Sequence, residues 1–520
     1  MAALTVVIGI AGMVAGLRWL RVAQREHYHP GTVSRFAFRW WIRTGAANLA
    51  LFAVGLGAGL AGLVVPLAAL GAAVVAVIGP LGLGLRGRTS PLVWTRRMRV
   101  LAAVAVVLFG AVVTLAALVG AGPAVAGILA LRIDVVVDVA LWVTRPFEKR
   151  AAARFVRRAA ERLDQVGPLR VAITGSYGKT TTKGYVRHLI EGDLDVVASP
   201  ASFNNTAGLS RTVNEMLAPG TEVFVAEMGT YGAGEIASLC SWVKPSVAVI
   251  CAIGPVHLER MGTLGAIVKA KSEILGEADV AVLNVDAFGL AEVADRVEGE
   301  GKRVIRTSGG GLSHADVPDA DVPDADVPDV DVLVRRTAPG ALKVTVDGHV
   351  IATAEVDAAP SNVACAVGTA LAVGVPVDHI AARLGTLPVA EHRRQVVTAP
   401  SGVVVIDDTY NANPEGAATA LDTLSGLGCG RRVVVTPGMV ELGRLQDREN
   451  KLLGATASRV ADDVLIVGLT NRSALSQGAA EGRATVHQVA TRDEAVAWVR
   501  EHLGPGDAVL YENDLPDHYP

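Results

Sequence analysis

Val171-Ala-Ile-Thr174-Gly175-Ser176-Tyr177-Gly178-Lys179-Thr180-Thr181 decides how this chain is read. Four β-rich residues run straight into a two-glycine loop, and a helical pattern follows. Strand, glycine loop and helix N-terminus form the arrangement in which backbone N–H groups cradle phosphates; the Lys179 ammonium adds a point charge and the Thr180 hydroxyl takes Mg²⁺. The spacing departs from Gly-x-x-x-x-Gly-Lys, because Ile173 stands where the first glycine belongs. The stretch predicts an α/β nucleotide-binding domain in which residues 175–181 surround the phosphates.

Outward from this loop the chain divides. Its 520 residues exceed one small module at ~150 residues per domain. A hydrophobic share of 51% is too high for a disordered chain and too low for one that is all membrane. Residues 1–150 hold 15 Lys and Arg against 4 Asp and Glu, whereas residues 151–520 hold 33 against 47. Uncharged runs at Met1–Leu17, Thr44–Leu85 and Val100–Leu131 alternate with basic loops at Arg18–Arg43 and Arg86–Arg99. That alternation reads as membrane spans and cytoplasmic loops, not as a nucleic-acid surface. Five spans are expected: Met1–Leu17, two within Thr44–Leu85 turning at Pro66, Val100 to about Gly120, and Ala121–Val143. The last contains Arg132, Asp134 and Asp138, which read either as a polar site inside the bundle or as a wet interfacial segment. Four scattered cysteines suggest neither a zinc ribbon nor a disulfide framework, which fits a reducing setting.

Downstream segments resemble the Mur ligase family. Thr174-Gly-x-x-Gly-Lys-Thr-Thr181 is similar to its phosphate loop, and Ser202-Phe-Asn204-Asn205-Thr-Ala-Gly208 to its Asn-Asn-x-x-Gly substrate loop. Glu227-Met-Gly229, Gly254-Pro-Val-His257-Leu-Glu259 and Lys269-Ala-Lys271-Ser-Glu273 look like its metal and carbamate motifs. Asp407-Asp408-Thr-Tyr410-Asn411-Ala-Asn413-Pro414 looks like the signature of the MurF-like branch. The resemblance covers about residues 166–507. It implies an ATP-dependent carboxylate–amine ligase working through an acyl phosphate, with two Mg²⁺ ions neutralising the transferring phosphoryl group. By the same resemblance Lys179 holds the β- and γ-phosphates, Thr180, Glu227 and His257 are metal ligands, and Lys271 is a carbamylated lysine supporting the second ion. Asn362, Arg393 or Arg394, Asp408, Tyr410 and Asn411 match nucleotide contacts. Independently, only nine of 48 basic residues are Lys, yet Lys179, Lys183, Lys269 and Lys271 all fall in or beside these motifs.

The expected fold is an N-terminal α-helical transmembrane bundle (1–147), a linker helix (148–165), an α/β central ATP-binding domain (166–395) and a Rossmann-like C-terminal domain (396–520). Val403–Ile406, Val433–Val435 and Val464–Val467 are strand candidates of the last domain. Residues 315–330 repeat Ala-Asp-Val-Pro-Asp, an acidic solvated loop. Three departures stand out: the membrane bundle occupies the place of the UDP-sugar-binding domain; Ser361-Asn362-Val-Ala-Cys365 replaces a His-Asn-x-x-Asn element; and Tyr511-Glu512-Asn-Asp514 stands where a basic Lys-Gly-Ser-Arg-like element is usual. The expected substrates are a lipid-linked or membrane-delivered carboxylate and an amino acid or peptide amine, at the cytoplasmic face of a bacterial inner membrane among its lipids. The competing readings are a Mur-like membrane scaffold and an ATP-driven transporter; oligomeric state stays open.

Overall fold

The computed structural model describes every residue except 44, 86–90, 201–202, 257, 311–329, 339, 389–394, 410–412, 429 and 516–520. The chain forms two compact units, one built mainly on Met1–Ala151, the other on Ala152–Val467 and Asn471–Asp514.

The first unit is helical: Ala2–Arg25, Thr32–Arg43, Ala46–Ala61, Ala69–Ile78, Arg96–Leu118, Gly122–Leu131 and Ile133–Val166, the last carrying the chain into the second unit. Its core gathers Trp19, Trp40, Met98, Leu101, Leu131 and Leu141. Glycines let its helices approach: a Cβ on Gly59 would lie 2.7 Å from Ile128, and one on Gly55 2.9 Å from Val75. The structure revises the expected spans. Among the described residues two helices are long and apolar enough to cross a membrane, Ala2–Arg25 and Arg96–Leu118, or three if Thr32–Ile42 and Ala46–Ala61 count as one bent span. Thr44–Leu85 does turn at Pro66–Ala68, but its helices have 16 and 10 residues. At ~1.5 Å per residue both fall short of a ~30 Å hydrocarbon core. Ala121–Val143 breaks at Arg132, and the linker placed at 148–165 is the second half of the 34-residue helix Ile133–Val166.

Buried polar groups in this unit close helix ends. Arg18 donates to the carbonyls of Ala76 (3.3 Å), Val77 (3.1 Å) and Gly79, satisfying the orphan C-terminus of Ala69–Ile78. Asp138 accepts from the Gly31 N–H (2.9 Å), the Ser34 N–H (2.7 Å) and the Ser34 hydroxyl, capping Thr32–Arg43 from more than a hundred residues away. Asp134 is fully buried and takes two bonds from Arg132, at 3.2 and 3.1 Å. The three charged residues of the expected fifth span are thus a cap and an ion pair.

The second unit holds two sheets. The first comprises β1 (Leu169–Thr174), β2 (Val196–Ala198), β3 (Val223–Glu227), β4 (Val247–Ile250), β5 (Val280–Asn284), β6 (Arg303–Ser308), β7 (Val332–Ala338), β8 (Ala341–Val346) and β9 (His349–Glu355), in the order β2-β3-β1-β4-β5-β6-β7-β8-β9. Pairing is parallel from β2 through β7 and antiparallel beyond. Core clusters cover both faces, which is why the central strands read as unbroken apolar runs. The second sheet has β10 (Gln395–Thr398), β11 (Val404–Asp408), β12 (Arg432–Thr436), β13 (Asp463–Val467), β14 (Thr485–Val489) and β15 (Ala508–Glu512), in the order β10-β11-β15-β12-β13-β14. Only β10 runs antiparallel to its neighbour. The last strand returns to the middle, between β11 and β12, so the strand order switches there. The 315–330 repeat lies, but for residue 330, outside the described residues.

Candidate active site

The glycine loop folds as its sequence requires. β1 ends at Thr174, Gly178 adopts φ +78° at the N-cap, and the helix Lys179–Ile190 begins at once. Lys179 Nζ donates to the Gly175 carbonyl (2.9 Å) and the Ser176 carbonyl (3.3 Å). Lys271, from the helix Leu264–Ser272, donates to the same Gly175 carbonyl at 2.8 Å and is 3% exposed. Burial first, and the Lys179 charge second, hold the Lys271 amine down to about 7. Lys269, two residues away on the same helix, is exposed. Beneath the loop Cys251 Sγ lies 3.1 Å from the Thr174 and Tyr177 carbonyl oxygens, and a Cβ on Gly175 would meet it at 2.4 Å. Ser176 Oγ accepts from the Gly254 N–H (2.9 Å), tying the loop to the segment that precedes His257.

Glu227, at the end of β3, is 1% exposed. Its carboxylate accepts from the Thr180 hydroxyl (3.0 Å), the Lys183 ammonium (2.8 Å) and the Asn204 amide (3.2 Å). Asn205 and Gly208 have a different job: Asn205 Oδ1 accepts the Gly208 N–H (3.0 Å) and caps the helix Thr206–Met216. Thr181 is buried in the first turn after the loop. Asn362, in the helix Pro360–Ala372, takes the Thr182 hydroxyl (3.3 Å), and its Oδ1 would lie 2.3 Å from a Cβ on Gly178. It packs behind the phosphate loop. No group of three His, Cys, Asp or Glu arranged for a metal occurs among the described residues.

The C-terminal sheet contributes Asp408, 8% exposed at the end of β11. Across from the loop, the Glu415 carboxylate and above all burial push the Tyr177 phenol upward. The Glu259 N–H donates to the Glu441 carbonyl (3.2 Å), and Arg260 pairs with Glu441 at 3.6 Å. The structure thus gathers residues 175–181, Asn204, Glu227, Lys271 and Asn362 around one loop. His257, Arg393, Arg394, Tyr410 and Asn411 lie outside the described residues. Ser176–Gly254 and Cys251 carried no signal in the sequence; Lys183 did, as a lysine in an arginine-preferring chain.

Comparison with known proteins agrees with this geometry. The chain matches the Mur ligase middle domain over residues 173–322 and the Mur ligase glutamate ligase domain over 392–511. It is 34% identical over 388 residues to the UDP-N-acetylmuramoyl-tripeptide--D-alanyl-D-alanine ligase of Mycobacterium leprae, spanning 69% of this chain and 74% of that one. The protein of the same name from Bacillus subtilis is 27% identical over 355 residues, 67% and 74% of the two chains. Among solved structures, MurF from Acinetobacter baumannii has a TM-score of 0.58 at 25% identity over 70% of this chain and 77% of that one. Fold, site and relatives together define an ATP-dependent acid–amino acid ligase that forms C–N bonds. The chain belongs to the Mur ligase family, and the relatives cited are of its MurF kind. This family uses ATP and Mg²⁺, and MurF from Thermotoga maritima was solved in complex with ADP.

Proposed function

We propose that this chain is a membrane-bound ligase that activates a membrane-delivered, lipid-linked carboxylate with ATP as an acyl phosphate and joins it to an amino acid or short peptide, on the cytoplasmic side of a bacterial inner membrane. One observation carries the chemistry: the Lys179 and Lys271 amines converge on a single carbonyl, at 2.9 and 2.8 Å. The Lys179 ammonium supplies positive charge for a phosphate chain, and burial, together with that charge, holds the neighbouring Lys271 amine down towards its neutral form. Thr180 and Glu227 fit Mg²⁺, which takes one or two protein oxygens and completes its octahedron with water and phosphate. Held there, the ion neutralises charge on the transferring phosphoryl group. His257 and a carbamylated Lys271 would hold a second ion; with the Lys271 amine held down to about 7, the neutral form that takes up CO₂ is well populated near neutral pH.

The rest is done by this chain's own groups. Lys179 and the loop N–H groups grip the β- and γ-phosphates; Lys183 and Asn204 fix the Glu227 carboxylate. Asn362 keeps the loop in shape from behind, and Asp408, Arg393, Tyr410 and Asn411 close on the nucleotide. Membrane attachment is supported by Arg96–Leu118, whose most apolar stretch is only 22% buried. An apolar helix left this open needs an apolar surrounding. The relatives act, by name, on a UDP-linked muramoyl tripeptide; the helical unit favours a lipid-linked acceptor here.

The test is ADP release by the full-length protein in nanodiscs with Mg²⁺ and bicarbonate, against Lys179→Ala. Release that needs both bacterial lipid extract and an amine is expected. Release supported equally by a soluble UDP-linked peptide removes the lipid-linked acceptor, and release indifferent to carboxylate and amine removes the ligase reading.

A further inference from the structure

The chain leaves β12 at Thr436 and enters the helix Gln446–Val460, and buried amides hold the loop between them, residues 437–445. Asn450, fully buried, accepts the Met439 N–H (2.7 Å) and donates to the Met439 carbonyl (2.9 Å). Asn471 donates to the carbonyls of Pro437 and Met439, both at 3.0 Å, and Asn513 to that of Gly438 (2.6 Å). A loop fixed this firmly can carry strain, and Glu441 carries it: its φ is +64°, in the left-handed region that a side chain makes costly. The strained residue meets the first sheet's domain. Its carbonyl accepts the Glu259 N–H (3.2 Å), its carboxylate pairs with Arg260 (3.6 Å), and Arg260 lies 5.3 Å over the centre of the Tyr231 ring. Two residues on, a Cβ at Gly443 would lie 3.1 Å from the Glu259 nitrogen, so the loop seats directly on the helix Leu258–Met261. That helix follows the segment that Ser176 ties to the phosphate loop through Gly254. With side chains 29% and 24% exposed, the Arg260–Glu441 pair is screened and adds little stability. Strain retained for so little stability points to a role in function.

We propose that Glu441 is a positioning residue: by clasping Arg260 and the Glu259 N–H, it sets the second sheet's domain against the phosphate loop in the geometry that phosphoryl transfer requires. It touches no substrate and acts through the helix Leu258–Met261. The inference rests on ATP-dependent ligase chemistry and needs neither the carboxylate nor the amine to be identified. A nucleotide gripped by the phosphate loop binds whether or not the clasp is made. Transfer demands that groups of both domains be aligned, so a small misplacement costs rate more than affinity.

The experiment compares full-length wild type, Glu441→Gly, Arg260→Met and the double variant in nanodiscs with Mg²⁺. Melting temperature, affinity for a non-hydrolysable ATP analogue, and ADP release from ATP with bacterial lipid extract and pooled amino acids are measured on each. Glycine takes φ +64° without strain, so Glu441→Gly is expected to melt at or above wild type and to bind the analogue within about threefold. It should nonetheless release ADP at least tenfold more slowly at saturating ATP. Arg260→Met keeps the apolar stem over Tyr231 and should show the same split, and the double variant should be no slower than the slower single one, because the two side chains act as one unit. Glu441→Gly that keeps more than half of wild-type turnover, or that loses turnover only in proportion to analogue affinity, overturns the clasp. Losses that multiply in the double variant overturn it too. Hydrogen exchange decides where no product forms: with the analogue bound, the peptide covering Leu258–Met261 is expected to exchange at least tenfold faster in both single variants than in wild type. That difference without wild-type turnover leaves the clasp standing and removes only the proposed substrates, whereas equal exchange removes the clasp whatever the turnover.

Discussion

The two sheets of the second unit end in opposite charge. Where β1 and β3 finish, Lys179, Lys183 and Lys271 crowd around the Gly175 carbonyl and the Glu227 carboxylate. Where β11 and β15 finish, Asp408 and Glu512 stand in register, and among the described residues no Lys, Arg or His pairs with Glu512. Both are carboxyl ends of parallel strands, so the same backbone geometry offers two ligand sites, and buried charge distinguishes them. Charge taken out of water is costly until an opposite charge arrives. The first sheet's end thus gathers cationic side chains suited to phosphate, whereas the second's end carries two neighbouring carboxyl groups.

The largest expected effect lies on the anionic-ligand side. Lys179→Ala should lower amine-dependent ADP release about a hundred- to thousandfold, the usual loss when a single charge-stabilising group is removed. Retention of more than about a tenth of the activity would mean that the phosphates are held without the Lys179 charge, and the reading of Lys179 as their ammonium partner breaks.

Lys271 sharpens the comparison through stability. Its amine releases its proton at about 7 in the fold, against 10.5 for an ordinary lysine. Between those values the unfolded chain binds more protons, so this residue's contribution makes stability rise with pH from about 7 to 10.5. Lys271→Met removes that slope. The variant should melt higher than wild type at pH 7, with a smaller difference at pH 9.5, while ADP release falls about a hundredfold or more. Wild-type turnover should fall as pH drops below about 7, because the protonated amine takes up no CO₂; turnover that is flat from pH 6 to 8 excludes the carbamate. A smaller effect is expected at the loop's support. Gly178→Ala places a β-carbon at φ +78°, at a cost of roughly 1–2 kcal/mol, and drives it towards Asn362. Nucleotide affinity should drop about tenfold, and Asn362→Ala in the same chain should restore part of it.

How far the sequence could anticipate these sites follows from how local each determinant is. The phosphate loop was legible because Gly178, Lys179 and Thr180 act within one turn of each other. Strands β11, β12 and β13 were legible as Val-rich runs, but insertion of β15 between two of them was not, since parallel pairing leaves no mark on neighbouring residues. The Lys271–Gly175 bond joins positions 96 residues apart, and Asp138 caps a helix 104 residues away from Ser34. The same blindness explains the helical unit. Uncharged runs revealed its apolar character, whereas the end of the short helix Ala69–Ile78 is satisfied by Arg18, distant in the chain.

The smallest effect tests whether two signature asparagines belong to chemistry or to folding. In the first sheet's domain Asn205 Oδ1 accepts the Gly208 N–H at 3.0 Å, and in the second's Asn413 Oδ1 accepts the Gly416 N–H at 3.0 Å. The pattern Asn-x-x-Gly is the same, and so is the role: each side chain satisfies an orphan donor at a helix start. Asn205→Ala and Asn413→Ala should each cost about 1 kcal/mol of stability in denaturant melts. Turnover per folded molecule should stay within about twofold, well under the ~1.4 kcal/mol that corresponds to tenfold. If Asn205→Ala loses activity well beyond its loss of stability, the carboxylate substrate touches the cap. The first sheet's domain then carries substrate recognition on a helix start, which the second's does not.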